Sequence, residues 1–200
     1  MKDSVRYICL DTETTGASPV TGHKIIDLAC VEIINGVIGK NYQTFLNPER
    51  SIDAGAQAVH GISIEFLADK PKFPEIVNDF LEFIEGGVLV IHNAPFDLKF
   101  LNKELSLCNI PPIQNEIIDT LTLARKKHQG ERASLDALCK KFEIDTSSRT
   151  LHGALTDSLL LAQVFQHLAI GFEVHTRQVK HIMEEATRKS YENLEMQIVA

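Results

Sequence analysis

The chain has 200 residues, of which 44% are hydrophobic and 24% charged, and its formal net charge is −7. These values are typical of a globular protein with one compact domain and a modest extension. The acidic balance argues against a protein that grips nucleic acid by bulk electrostatics, but it allows one that touches a few nucleotides through bound cations. No apolar run is as long as a membrane span and the four cysteines lack paired spacing, so we expect a cytoplasmic protein without disulfides.

The first part of the chain is predicted to form three strands. Residues 7–10 are continuously apolar, as in a strand that is covered on both faces. Residues 24–34 and 37–46 form two further strands, and the Asn35-Gly36 pair between them is a strong signal for a β-hairpin. The segment DAGAQAVHGIS that follows is predicted to be a loop.

The rest of the chain is predicted to alternate between helices and short strands. An amphipathic helix is expected at about 74–85 and an apolar strand at 88–91. Pro95 suits the first turn of the next helix, and another strand ends near Asp119. Further helices are predicted at about 120–127, 134–142 and 154–169. A hairpin followed by alternating strands and helices indicates an α/β fold with a mixed sheet flanked by helices.

Two acidic residues, Asp11 and Glu13, stand at the end of the first strand in the stretch LDTETTG. Side chains alternate along a strand, so both point to the same face, roughly 7 Å apart. Like charges on one face repel each other, and burial increases the cost. We therefore expect a positive group between them.

Two more acidic residues lie near the starts of predicted helices. Asp97 shares its helix face with apolar residues three, four and eight positions later, and Asp157 does so at three, four and seven. Either residue alone would be interpreted as a helix cap, but caps normally face water and these two face the core. Buried carboxylates need a partner, which the strand pair also lacks.

Four carboxylates without thiolates form the hard, all-oxygen kind of site that suits Mg²⁺ or Mn²⁺. Two divalent ions that share bridging carboxylates are a recurring device for phosphodiester hydrolysis. His152 stands just before the helix of Asp157, where an imidazole can accept a proton near neutral pH. A loop histidine by itself is more often a surface residue, but together with the four carboxylates it indicates a general base.

Three stretches, DTETTG, HNAPFD and HGALTD, resemble the three exonuclease motifs of the DEDDh family, in the same order. Within that family, GHKIIDLACVEI, VHGI, RASLDALCKKFEID and RTLHGALTDS are most similar to the proofreading (epsilon) subunits of bacterial DNA polymerase III. The likeness covers about residues 5–170. It implies a ribonuclease H-like fold, two Mg²⁺ or Mn²⁺ ions, and 3′→5′ release of nucleoside monophosphates from a single-stranded or frayed 3′ end of DNA.

The resemblance also implies roles for individual residues. The metal ligands would be the four acidic residues described above, Asp11, Glu13, Asp97 and Asp157, and the catalytic base would be His152. The substrate-binding residues would be Asp11, Glu13, Asp157, Thr14, Thr15 and His60. Among these, His60 would touch the terminal nucleotide, and Thr14 and Thr15 would line the pocket for the 3′ end. An alternative for His60 is a loop residue that orders its own turn.

The expected organisation is an exonuclease domain at 1–170 and a C-terminal tail at 171–200. The tail has a thin amphipathic pattern, and the family keeps its polymerase-binding segment in this place, so the catalytic (alpha) subunit of DNA polymerase III is the expected partner. After Gly171 the sequence has no Gln-x-x-Leu/Met-x-Phe pattern, which argues against a clamp contact. The run AGAQ at 54–57 lacks a glutamate that often helps epsilon subunits to hold substrate.

Two other functions stay open on the sequence alone. One is a stand-alone exonuclease of the same family that trims RNA or short oligonucleotides, since the sequence does not reveal whether the pocket reads a 2′-hydroxyl. The other is a non-catalytic binding module, which the retained buried charges argue against. The basic segment at 125–141 is interpreted as a solvated helix face. Asp119 is interpreted as a helix cap, and Asp27 receives no chemical role.

Overall fold

A computed structural model describes residues 5–147, 149 and 151–169 of the chain. Its strands span Arg6–Thr14 (β1), Ile25–Ile34 (β2), Val37–Phe45 (β3), Val88–Ile91 (β4) and Ile117–Asp119 (β5). They form a single sheet in the order β3-β2-β1-β4-β5. All five strands lie where the sequence predicts them, which confirms the mixed α/β sheet.

β1 joins the two halves of the sheet. It pairs antiparallel with β2 and parallel with β4, and β4 pairs parallel with β5. The hairpin between β2 and β3 turns at Asn35 and Gly36, whose φ angles are 52° and 76°, as the Asn-Gly pair predicts. Because parallel strands end at the same edge of a sheet, the carboxyl ends of β1, β4 and β5 lie side by side.

The described residues contain seven α-helices. They span Ala54–His60 (α1), Ile64–Leu67 (α2), Phe73–Ile84 (α3), Ala94–Leu107 (α4), Thr120–Lys127 (α5), Leu135–Lys141 (α6) and Ala154–Ala169 (α7). The prediction of a loop at DAGAQAVHGIS is wrong, because α1 occupies most of this segment. The reason is that α1 buries only its last residue, His60, so its sequence carries no apolar stripe.

The sheet separates two layers of helices. Leu10 packs in the layer of α3 and α4, whereas its neighbour Cys9 packs in the layer of α5, α6 and α7. Because side chains alternate along a strand, Asp11 and Glu13 share the face of Cys9 and point toward the α7 layer. Thr12 shares the face of Leu10 and points toward the α4 layer. Because of this alternation, α7 can reach Asp11 and Glu13, whereas α4 can reach Thr12.

The predicted C-terminal tail at 171–200 lies outside the described residues, and α7 ends at Ala169. All four cysteines are free thiols. Across the part of the chain that the structure describes, we find no helix with the length and apolar character needed to span a membrane.

Candidate active site

The two strand carboxylates lie at the carboxyl end of β1, where Glu13 is buried and Asp11 is partly exposed. Within the described part of the chain, no residue donates a hydrogen bond to either carboxylate or forms an ion pair with it. In β2, Asp27 stands directly opposite Glu13. Two acidic side chains predicted to share a face therefore do so, and a third carboxylate adjoins them.

Asp97 approaches β1 from the opposite layer, in the first turn of α4. The helix begins after Asn93, whose φ of 67° is left-handed, and it has a proline in its first turn, as predicted. Asp97 is 3% exposed, and its Oδ1 accepts hydrogen bonds from the Thr12 N–H (3.1 Å) and the Thr12 hydroxyl (2.7 Å). These two bonds fix the Asp97 carboxylate beside the segment that carries Asp11 and Glu13.

Asp157 enters the site at the start of α7, and Asp27 anchors that helix. The Oδ2 atom of Asp27 accepts a hydrogen bond from the Ala154 N–H at 3.0 Å, and Gln43 Nε2 donates to Oδ1 of the same carboxylate at 3.1 Å. Burial raises the pKa of Asp27 to about 7, against the lowering effect of these bonds. Asp27, to which the sequence assigns no chemistry, thus ties β2 and β3 to the helix of Asp157.

The pKa values of the carboxylates reflect their convergence. Burial, followed by the charges of Asp157 and Asp97, raises the pKa of Asp11 well above its usual range. Burial and then Asp157 likewise raise the pKa of Glu13. Burial raises the pKa of Asp97 to about 7, although the hydrogen bonds from Thr12 lower it. A cluster with this excess of negative charge favours a bound cation.

Arg149 belongs to the site, although its sequence position gives no sign of it. Its Nε lies 2.6 Å from Asp157 Oδ1, and its Nη2 donates to Asp157 Oδ2 at 2.7 Å. Its Nη1 pairs with Asp136 in α6. Burial opposes the charge of Arg149, but the two carboxylates outweigh burial and raise its pKa. Because Arg149 lies in a loop, no helical or strand periodicity marks it. Its only signal in the sequence is that it begins the stretch RTLHGALTDS, which resembles epsilon subunits.

His152 stands beside Asp157, with 43% of its side chain exposed. Its Nδ1 lies 2.9 Å from Asp157 Oδ2 and 2.7 Å from Arg149 Nη2. A guanidinium only donates and a carboxylate only accepts, so Nδ1 can form just one of these two hydrogen bonds at a time, according to the tautomer of the ring.

The donor set fits a divalent metal ion. One possible ligand atom from each of Glu13, His152 and Asp157 lies within 4.8 Å of the others. The Asp11 carboxylate lies on the same face of β1 as Glu13, and the Asp97 carboxylate is bonded to Thr12, which stands between these two residues in the strand. Mg²⁺ and Mn²⁺ prefer oxygen ligands, so the carboxylates suit the metals better than the imidazole of His152, whose role as the base stays a prediction.

His60 ends α1 and is 5% exposed. Its Nδ1 accepts a hydrogen bond from the Ile62 N–H at 3.0 Å, so the ring does order its own turn. Burial lowers the pKa of His60 to about 4, against the raising effect of a backbone contact with Thr14 and with a smaller lowering effect of His152, so the ring is neutral and its proton is on Nε2. Among the described residues Nε2 has no partner at hydrogen-bonding geometry. The contact with a terminal nucleotide stays a prediction, and the Thr14 backbone lies close enough to compete for this donor.

The loop of His152 packs closely on the end of α1. The His152 N–H donates to the Val59 carbonyl at 3.2 Å. Gly61 has a φ of +70°, and a Cβ at this position would stand 2.4 Å from Leu151 Cδ1. The left-handed backbone favours glycine here, and a Cβ would also force the exposed Leu151 side chain to move. The glycine of VHGI thus keeps His60 next to His152.

Thr14 and Thr15 are both buried, and they differ in their contacts. The Thr14 hydroxyl donates to the Gly16 carbonyl at 2.8 Å, and its role in the pocket for the 3′ end stays a prediction. The Thr15 hydroxyl contacts His23 Nδ1 and accepts from the Lys24 N–H, while the Thr15 backbone pairs with Lys24 and Asp53. Every polar atom of Thr15 thus has a partner within the protein, and its role in the pocket for the 3′ end also stays a prediction.

Replacing Thr12 with valine should weaken metal binding without disrupting β1. Valine keeps the shape but removes the 2.7 Å hydrogen bond to Asp97, and losing a group that orients a metal ligand commonly costs about 10–100-fold in metal affinity or activity. The metal dependence of hydrolysis and calorimetric titration with Mn²⁺ measure the effect. Thr12→Ser keeps the hydroxyl and serves as the control. Equal metal affinity in both variants would contradict the role of this bond.

The comparisons with known proteins agree on the family. The family model described as exonuclease matches residues 8–165. The DNA polymerase III subunit epsilon of Rickettsia typhi (strain ATCC VR-144 / Wilmington) is 53% identical over 173 residues, which cover 84% of this chain and 76% of the relative. The DNA polymerase III subunit epsilon of Escherichia coli (strain K12) is 48% identical over 175 residues, which cover 83% and 72%.

Two solved structures resemble the chain in fold. Exonuclease X in complex with 5′ overhanging duplex DNA is 30% identical, with a TM-score of 0.64 over 82% of this chain and 90% of that chain. The nuclease domain of 3′hExo, a DEDDh family member bound to rAMP, is 20% identical, with a TM-score of 0.72 over 86% and 96%. These likenesses confirm the predicted ribonuclease H-like fold.

Proposed function

Since the chain belongs to the exonuclease family that includes the epsilon subunits of DNA polymerase III and is a 3′→5′ exonuclease, we propose that it proofreads for a replicative DNA polymerase. It would remove nucleoside monophosphates from a single-stranded or frayed 3′ end of DNA. Work on replicating DNA would place the protein in the cytoplasm. The observation that supports this function best is the cluster of four carboxylates with His152 at one edge of the sheet.

The proposed chemistry follows from the positions of the side chains. Two Mg²⁺ or Mn²⁺ ions, when bound, would activate water and neutralise charge on the scissile phosphate. Their ligands would be Asp11, Glu13, Asp97 and Asp157. His152 would accept the proton of the attacking water at a ring nitrogen. His60 would donate its Nε2–H to the terminal nucleotide.

The function is tested by digestion of matched single strands of DNA and RNA in the presence of Mg²⁺, with EDTA as the blank. We expect stepwise loss of nucleoside monophosphates from the 3′ end of DNA, and none from a strand whose 3′ end is blocked. RNA that is digested as fast as DNA would instead favour the stand-alone RNA-trimming enzyme. Failure to release monophosphate from either strand would refute the proposal.

Divalent metal should raise the melting temperature of the protein. The ions bind the folded carboxylate cluster and not the dispersed carboxylates of the unfolded chain, so at about 100 times Kd they stabilise by about 2.7 kcal/mol. For a domain of this size, that is a shift of about 5–10 °C. Thermal unfolding in EDTA and in Mn²⁺ measures it, and Asp11→Asn is the control that should lose the shift. An unchanged melting temperature would contradict a site preformed for metal.

We propose that the tail at 171–200 docks on the catalytic subunit of the polymerase. The described domain already contains every proposed ligand, and α7 buries its apolar face within that domain. Deletion of 172–200 should therefore leave hydrolysis of short single strands almost unchanged but weaken co-purification with the polymerase catalytic subunit. If the truncated protein melts many degrees lower or loses hydrolysis, the tail is part of the catalytic domain.

A further inference from the structure

A shallow groove runs along α6 and encloses about 670 Å³. We call it the α6 groove, and its polar lining consists of Glu131, Arg132, Ser134, Asp136, Lys140 and Lys141. The groove belongs to the basic segment at 125–141, which the sequence by itself marks only as a solvated helix face. Its charges and its position argue for a more specific role.

Both acidic residues of the α6 groove are already paired. Glu131 binds Lys141 at 2.6 Å, and Asp136 binds Arg149. Arg132 and Lys140 are exposed, and neither forms an ion pair with any residue that the structure describes. The groove therefore presents two uncompensated cations on a chain whose net charge is −7. Such a place attracts a multiply charged anion.

The α6 groove is linked directly to the proposed metal ligands. The guanidinium of Arg149 touches Asp136, at the rim of the groove, and Asp157, in the active site. The rim thus lies one side chain away from the Asp157 carboxylate. Lys140 stands four residues beyond Asp136 on the same helix, which is about 6 Å further along its axis. A nucleic-acid strand with its 3′ end at the carboxylates has only a short path to these cations.

We propose that the α6 groove binds the phosphate groups of the nucleic-acid strand whose 3′ end is being digested, with Arg132 and Lys140 as the phosphate contacts. This proposal rests on the proposed exonuclease function. The contacts would hold the strand without reading its sequence, since charge-to-phosphate contacts carry no base information. They would matter for an oligonucleotide and not for a substrate with a single nucleotide.

The test compares the double variant Arg132→Ala/Lys140→Ala with the control Lys40→Ala/Lys103→Ala. The control removes two exposed lysines, one on β3 and one on α4, that line no part of the α6 groove. Fluorescence anisotropy with a labelled oligothymidylate of about ten nucleotides, in Ca²⁺ to prevent digestion, gives the affinity at about 50–200 mM salt. A second assay follows hydrolysis of the p-nitrophenyl ester of thymidine 5′-monophosphate in Mn²⁺.

We expect the groove variant to bind the single strand about tenfold more weakly. The slope of log affinity against log salt concentration should become less steep by about 1.4, since each lost contact with a single strand removes about 0.7. Ester hydrolysis should stay within about twofold of wild type, because the ester reaches no groove residue. The control variant should match wild type in both assays. An ester that wild type does not hydrolyse would refute the exonuclease function itself and not the groove alone.

Three outcomes would overturn the groove proposal while the wild type digests the ester. The first is single-strand affinity and salt slope in the groove variant equal to those of the control. The second is weaker binding of a duplex with a recessed 3′ end but not of the single strand, which would assign the groove to the complementary strand. The third is an equal loss of ester hydrolysis and of binding, which would show that the substitutions act by distorting the active site.

Discussion

Replacing Asp11 with asparagine should abolish hydrolysis while making the metal-free protein more stable. A metal ion supplies several kcal/mol of charge stabilisation in the transition state, so losing a ligand should cost at least about 10³-fold in kcat. In EDTA, where no metal is bound, the same substitution should increase the free energy of unfolding. Nearby carboxylates raise the pKa of Asp11, and none of the described residues pairs with it, so removing its charge relieves repulsion. The melting temperature should rise by about 2–4 °C for each kcal/mol relieved.

Asp157→Asn is the matched comparison, because it should abolish hydrolysis but lower stability in EDTA. Asp157 is buried and pairs with Arg149 at 2.6 and 2.7 Å. Removing one partner of a buried ion pair costs about 3–5 kcal/mol when the other charge is left unpaired. Arg149 keeps its pair with the exposed Asp136, so we expect a cost at or below the lower end of this range. Thermal unfolding in EDTA and release of nucleoside monophosphate in Mg²⁺ measure both effects. Melting shifts of the same sign in the two variants would contradict this account of the charges, and activity above a few percent would remove the residue from the ligand set.

Replacing His152 with glutamine should reduce turnover by about 10²–10⁴-fold, the usual cost of losing a general base. Binding of a single strand should change little, because the carboxylates and His60 stay in place. The His152 side chain is 43% exposed, and the bond of its loop to Val59 comes from the backbone, so the fold should not change. Partial recovery is expected at high pH, where hydroxide from solvent replaces the missing base.

Single-turnover digestion and oligonucleotide binding in Ca²⁺ separate these effects for His152. His128→Gln serves as the control, since His128 lies at the far end of α5 and contacts Phe142. An equal collapse of binding and turnover in His152→Gln would identify His152 as a substrate contact. Turnover close to wild type would exclude it as the base.

The sequence by itself predicts the sheet, the long helices and the acidic residues of the site. Period-two alternation places Asp11 and Glu13 on one face of β1, and helical periodicity turns Asp97 and Asp157 inward. Both rules act over a few neighbouring residues, which is why they can be applied to a single chain. Burying a carboxylate costs so much free energy that an acidic residue on a core-facing position indicates a functional site even when its neighbours in space are unknown. The helix α1 escapes the same reasoning because its surface position leaves no apolar stripe.

Only the tertiary structure decides which distant residues meet at the site. Asp27 holds the start of α7, and Arg149 joins Asp157 to α6, yet neither residue shows a local pattern that predicts this contact. The opposite stability effects expected for Asp11 and Asp157 have the same origin, because a carboxylate is destabilising or stabilising according to whether a cation lies within reach. Periodicity tells which way a side chain points. What it meets there depends on how the sheet and the two helix layers pack together.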